Sequence, residues 1–87
     1  MAIASTQVAH LEQKFQALVM PSTYLNKLFV KSKFDCARIC APDSLCKSIF
    51  YMTDSRLCQT HAQRYMASDV GLVVDGSALY YEKEGMK

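Results

Sequence analysis

The sequence is poor in most of the features that mark a specialised class. Three Gly and two Pro in 87 residues exclude collagen-like repeats and linker material. No apolar run approaches the roughly 20 residues that a membrane-spanning helix requires. A net charge of +2 is too slight a bias to argue for nucleic acid or an anionic membrane surface. There is no internal repeat and no low-complexity stretch. Neither a Gly-rich phosphate loop nor a G-x-S-x-G nucleophile signature is present, and no Ser-His-Asp or Cys-His constellation can be read. Paired carboxylates for glycoside chemistry need a cleft that so short a chain can hardly supply. The N-terminal segment MAIASTQVAHLEQKF has neither the positive n-region nor the apolar core of a signal peptide.

What is present is the composition of a folding globule, 51% hydrophobic and 21% charged. The length suits one domain. A chain this short buries only about 60–65% of the surface it exposes when unfolded, so its core is marginal. We expect a single domain over residues 10–84, with frayed ends at 1–9 and 85–87.

Four cysteines, Cys36, Cys40, Cys46 and Cys58, fall within 23 residues. An even, clustered set in a domain this small reads first as two disulfides. Zinc binding and free thiols are the rival readings. The spacing C-x3-C-x5-C-x11-C, followed by His61 as C-x2-H, lacks the C-x2-C knuckle that usually grips zinc. It also lacks the C-x-x-C of thioredoxin-like redox catalysts. Disulfides require an oxidising compartment, so without a signal peptide the chain is expected to be an excerpt of a longer secreted protein. A cytosolic protein with four reduced cysteines is the fallback.

The clearest element is Ser32 to Ala41, a helix. Ser32 suits an N-cap, and Asp35 three residues on completes a weak capping box and complements the helix dipole. Phe34, Ala37, Ile39 and Ala41 supply its apolar surface, and Pro42 stops it. Cys36 and Cys40, four apart, leave one face. Cys46 to Thr53 (CKSIFYMT) reads as a strand, with Ile49 and Tyr51 on one side and Phe50 and Met52 on the other. Asp54-Ser55 turns the chain into a second strand, Arg56 to Thr60, which makes an antiparallel hairpin. Tyr24 to Val30 is a further short strand.

Residues 61–75 read as irregular, ending in an extended 71–74 and an Asp75-Gly76 turn before a closing strand from Ala78 to Lys83. Tyr80 and Tyr81 then point to opposite faces. His10 to Val19 is ambiguous. Leu11, Phe15 and Leu18 fall at helical spacing, while Phe15, Ala17 and Val19 alternate as a strand would. Taken alone the segment leans to helix.

Helix and hairpin together favour one cysteine pairing of the three possible. Cys40, near the helix end, lies close to Cys46 at the hairpin start, and their ring is seven residues. Cys36, one turn back, reaches Cys58 on the return strand and closes 23. The nested pairs Cys36–Cys58 and Cys40–Cys46 need no crossing. On the loop-entropy relation they contribute about 3.4 and about 2.3 kcal/mol.

The segments CARIC, CKSIFY, LCQ and YYEK resemble a PAN/apple-type domain. The resemblance covers roughly residues 11–83 and is most specific over 32–60. It implies a small α+β fold: a curved antiparallel sheet against one α-helix, tied by two disulfides in the same nested pairing. Cys36, Cys40, Cys46 and Cys58 match the family's core cysteines. Ile49 stands where an aromatic is common, and Tyr51 keeps the second aromatic. The extra cysteine pair of the apple subgroup is missing, which points to the plainer PAN type. The resemblance also turns residues 11–19 into the first strand, paired with the closing strand near Tyr80, burying Phe15 and Val19.

Candidate site residues are few. His61 is either a metal ligand beside Cys58 or, more simply, a surface loop histidine. Lys27, Lys31, Lys33, Arg38 and Lys47 make the middle of the chain basic. Of these, Lys31, Lys33, Arg38 and Lys47 are the candidates for an acidic glycan such as heparin, as the resemblance suggests, with an ordinary solvated surface as the plainer account. Among Tyr24, Tyr65, Tyr80 and Tyr81 some serve contact and some core. Met20, Met52 and Met66 are packing residues. The expected function is that of a non-catalytic extracellular module binding protein or carbohydrate, with no cofactor, no nucleic acid and no membrane span. The alternatives are a small cytosolic zinc-binding interaction domain and the recognition part of a secreted protease.

Overall fold

The computed structural model describes residues 11–83. Five strands form one antiparallel sheet: β1 (Leu11–Val19), β2 (Asn26–Phe29), β3 (Ser48–Met52), β4 (Leu57–His61) and β5 (Val73–Lys83). The spatial order is β1-β5-β3-β4-β2. Among the described residues there is one helix, α1 (Lys33–Cys40), which lies between β2 and β3 in the chain. The architecture is therefore α+β.

The first segment is a strand and not a helix, because β5 offers it a long partner. Phe15 stands opposite Tyr80 and Val19 opposite Val73. Val19 is buried and Phe15 half-buried. The expected Asp75-Gly76 turn does not occur. β5 runs unbroken through it, and the turn chemistry appears instead as an irregularity in the β1–β5 ladder. Gln16 pairs with Leu79, but the next partners are Leu18 and Val74. The Asp75 carboxylate accepts from the Ser77 N–H at 3.0 Å, a local turn folded into a strand. Opposite it, Ala17 takes φ 67. A second shift comes between Gln13 and Phe15. Such bulges bend a strand and raise its twist.

Helix α1 starts where expected. Ser32 is the N-cap, with extended backbone and a side chain that accepts from the Asp35 N–H. The buried face differs from expectation. It is formed by Cys36, Ala37 and Cys40, whereas Phe34 is 56% exposed. Eight residues make barely two turns, too short for propensity to hold. The sulfurs hold it instead. Cys36 bonds Cys58 of β4, and Cys40 bonds Cys46 just before β3.

Strand β3 is buried along its whole length, and its alternation divides the core in two. Ile49 and Tyr51 face α1 with the four cysteines, and Val30, Ile39 and Tyr81 border them. Phe50 and Met52 face the other side, with Val19, Tyr65, Ala78 and Tyr80. Helix α1 covers the first side. The second is covered by the chain between β4 and β5, which brings in Tyr65 and Leu72. Gly71 in that chain takes φ +101, and a Cβ there would press on the Met20 side chain at 3.3 Å.

Candidate binding surfaces

On the helix side a shallow notch opens between α1 and the sheet. It is lined by Leu11, Lys33, Phe34, Ala37, Ile49 and Tyr81. Its volume is about 60 Å³. That admits one small side chain or a few waters, whereas drug-sized ligands occupy roughly 300–1,000 Å³. The Lys33 ammonium lies over two rings, 5.6 Å from the Phe34 centroid and 5.7 Å from that of Tyr81. Both distances are in cation–π range. The chain places Lys33 there because Ser32 caps α1 and fixes its first turn.

The other expected basic residues do not all join it. Arg38 is committed to Asp35, one helical turn away, at 2.7 Å. Lys31 is exposed ahead of the helix cap. Lys47 lies at the entry to β3, where its N–H donates to the His61 carbonyl and its own carbonyl accepts from the Lys83 N–H. Lys83 is a residue the sequence pattern did not single out. Its ammonium donates to the Asp43 carbonyl at 2.9 Å. Burial, then the neighbouring Lys47 and Arg64 charges, hold that ammonium below its usual pKa, against the pull of Asp43. The structure thus adds Lys83 and Arg64 to Lys47, and only the strand pairing brings them together.

On the opposite side His61 is neither a loop residue nor a surface one. It ends β4 with no exposed surface. Its Nε2–H donates to Gln59 Oε1 at 3.1 Å, and its Nδ1 accepts from the Tyr65 hydroxyl at 3.2 Å. Phe50 and Tyr65 meet the imidazole edge to face, at 5.2 and 5.3 Å. Alternation explains the burial: His61 shares the face of Gln59, which points at Phe50 and away from α1. Burial pushes its pKa down from 6.5 to about 4, so the imidazole is neutral. Of the tyrosines, Tyr65 and Tyr80 lie in the core and Tyr24 is exposed. Met52 is core, whereas Met66 is 66% exposed.

The zinc alternative loses its ligands here. All four sulfurs are bonded in pairs, and both His61 nitrogens have protein partners. Among the described residues no helix is long and apolar enough to cross a membrane.

Among the described residues, one helix is bonded to β4 through Cys36 and to the segment just before β3 through Cys46, against a five-stranded antiparallel sheet: a small disulfide-tied α+β fold. A model of the PAN domain matches residues 11–85, and the chain belongs to that family. PAN domains are protein- and carbohydrate-binding modules, generally non-catalytic. No curated protein matches the chain. The expected frayed ends, 1–9 and 85–87, and His10 lie outside the described residues.

Proposed function

We propose that this PAN domain is a non-catalytic binding module of a secreted or cell-surface protein, and that its helix side takes an anionic partner. The observation that carries the proposal is the helix-side surface itself. A lysine stands over two aromatic rings beside a notch of side-chain size. Further along the sheet, Lys47, at the entry to β3, meets Lys83 of β5. A shallow surface of this kind suits a macromolecule, which supplies many weak contacts, better than a small molecule that must be enclosed. Lys31 and Arg38 flank it, with Arg38 partly neutralised by Asp35. The extracellular assignment is supported by the two buried disulfides, since such bonds persist in oxidising compartments.

Two measurements test this. Intact mass of the native chain should be about 4 Da below that of the reduced chain, since each bond forms with loss of two hydrogens. A native mass equal to the reduced mass, with bound metal, would overturn the assignment. Oxidised protein should bind anionic glycans or acidic protein segments on an array, with affinity falling as salt rises. Lys33→Ala with Lys47→Ala should abolish the salt-sensitive part. Binding that ignores both salt and these substitutions would remove the helix side from consideration.

A further inference from the structure

The loop side of the sheet is fastened by a different chemistry from the helix side, and its fastening centres on one titratable group. Residues 63–65 are tied down by hydrogen bonds. The Gln63 carbonyl accepts from the Ser48 hydroxyl, and the Arg64 guanidinium donates to the Lys83 carbonyl at 3.1 Å. The Tyr65 N–H donates to the Tyr80 hydroxyl at 2.7 Å, and that hydroxyl donates on to Glu82 at 2.9 Å. The Tyr65 side chain closes the set by donating to His61 Nδ1.

We propose that His61 is an acid-released latch: protonation of its imidazole detaches Tyr65, and with it residues 62–72, from the sheet. The released segment lines, with Met20 and Thr23, the open groove on this side, so that groove changes shape between neutral and acidic surroundings. The neutral imidazole fits its site: one nitrogen donates and the other accepts. A second proton, on Nδ1, turns the Tyr65 hydroxyl from donor to acceptor, which leaves the phenol's own hydrogen without its partner, and places a charge inside an aromatic enclosure.

No element packed against the ring supplies a counter-charge. From β3 come Phe50 and, in register, the Ser48 hydroxyl; from β4 itself, the Gln59 amide. The segment before β2 contributes the Tyr24 ring at 6.4 Å. The 62–72 segment contributes the Tyr65 phenol and, beside it, the Arg64 cation. Its Asp69 carboxylate is held by the Met66 N–H at 2.8 Å. From β5 come the Tyr80 phenol, tilted against Phe50, and Glu82, whose carboxylate is taken by that phenol. Lys47 and Lys83 add only positive charge at this end. Burial without a counter-charge is what keeps the closed imidazole neutral to about pH 4. Once Tyr65 lifts away, the ring reaches water and takes a proton near 6.5, its usual value. Acid therefore draws the equilibrium toward the open form, because only that form binds the proton well. Opening stays local because α1 is bonded covalently to the far side.

Hydrogen exchange on the oxidised protein tests this, with rates corrected for the intrinsic effect of pH. From pH 7.5 to pH 5 the protection of amides in 62–72, Tyr65 above all, should fall about 30-fold, the ratio set by pKa values of 6.5 and about 4. Amides of β3 should stay better protected than these at both pH values. His61→Gln should abolish the pH dependence. If that variant does not fold, the ring-proton NMR titration of wild-type His61, distinguished from His10 by a His10→Gln variant, decides instead. A midpoint well below 6.5 with falling Tyr65 protection supports the latch. Unchanged protection, a midpoint near 6.5, or loss of 62–72 and β3 protection together to one common value overturns it.

Discussion

Removal of the two disulfides one at a time should have unequal effects, and the inequality follows from ring size. Both bonds are fully buried, and each ties α1 to the sheet region. Replacing either pair by alanine forfeits similar sulfur packing, so the packing losses largely cancel in the comparison. What differs is the chain each bond closes. The Cys36–Cys58 bond spans a sequence separation of 22, the Cys40–Cys46 bond one of 6. Loop-closure entropy assigns about 3.4 kcal/mol to the first and about 2.3 to the second. A domain of this size has about 5 kcal/mol of stability in all. Cys36→Ala with Cys58→Ala should therefore leave a domain near the edge of folding at 37 °C. Cys40→Ala with Cys46→Ala should keep a clear cooperative transition at lower denaturant. Urea titration followed by far-UV circular dichroism, without reductant, reads both free energies. If the Cys40–Cys46 deletion costs as much as the other, or more, chain entropy is not what these bonds supply, and the short helix must need its C-terminal clamp more than its link to β4.

Other perturbations have definite expected outcomes. Unfolded His61 takes a proton near 6.5 and folded His61 only near 4, so between those values the unfolded state binds more protons. Stability from this group is complete above 6.5 and lost as pH falls toward 4. At pH 5 the loss is about 2 kcal/mol relative to pH 7.5, and denaturant midpoints unchanged over that range would show that the ring is hydrated. Phe50→Ala removes a fully buried ring in contact with Phe15, His61, Tyr65 and Tyr80, and should cost about 3–5 kcal/mol in urea. Phe29→Ala, at a ring 72% exposed on edge strand β2, should stay within about 0.5 kcal/mol of wild type by the same measurement. Ser32→Ala removes the cap of an eight-residue helix and should lower the thermal midpoint by the equivalent of about 1 kcal/mol.

The helix and the central hairpin were legible in the sequence because their determinants are local. Ser32, Asp35 and Pro42 punctuate the helix, and the alternation of Ile49, Phe50, Tyr51 and Met52 states a strand with two buried faces. The ends of the sheet were harder. Leu11 to Val19 carries both periods at once, and its state is decided by β5, more than fifty residues away in the chain. Asp75-Gly76 has genuine turn chemistry, yet the partner strand absorbs it as a bulge. The site followed the same rule. Lys33 could be picked out on charge, but nothing in the sequence says that Tyr81 lies beneath it, or that Lys83 and Arg64 approach Lys47. His61 was misplaced because residues beyond Thr60 looked irregular. Extending β4 by one residue reverses its side chain from solvent to core, as the two-residue period of a strand requires.

The sheet therefore separates two kinds of fastening, and the separation has a consequence for how the domain responds to its surroundings. On the helix side, α1 has little internal stability and depends on two covalent bonds, which are indifferent to acid and broken by reductant. On the loop side, residues 62–72 depend on hydrogen bonds that run through His61, Tyr65 and Tyr80. These are indifferent to reductant and sensitive to acid. Strand β3 lies between the two, buried on both faces. Loss of the Cys40–Cys46 bond alone should loosen α1 and reshape the surface around Lys33, Phe34 and Tyr81, while mild acid should first free the Tyr65 segment and spare that surface. Binding that depends on the helix side should then survive a drop to pH 5 and weaken in Cys40→Ala with Cys46→Ala, with the Tyr65 amide reporting the reverse. Were both sides to loosen together under either perturbation, β3 would be transmitting the loss, and the two layers would be one cooperative unit.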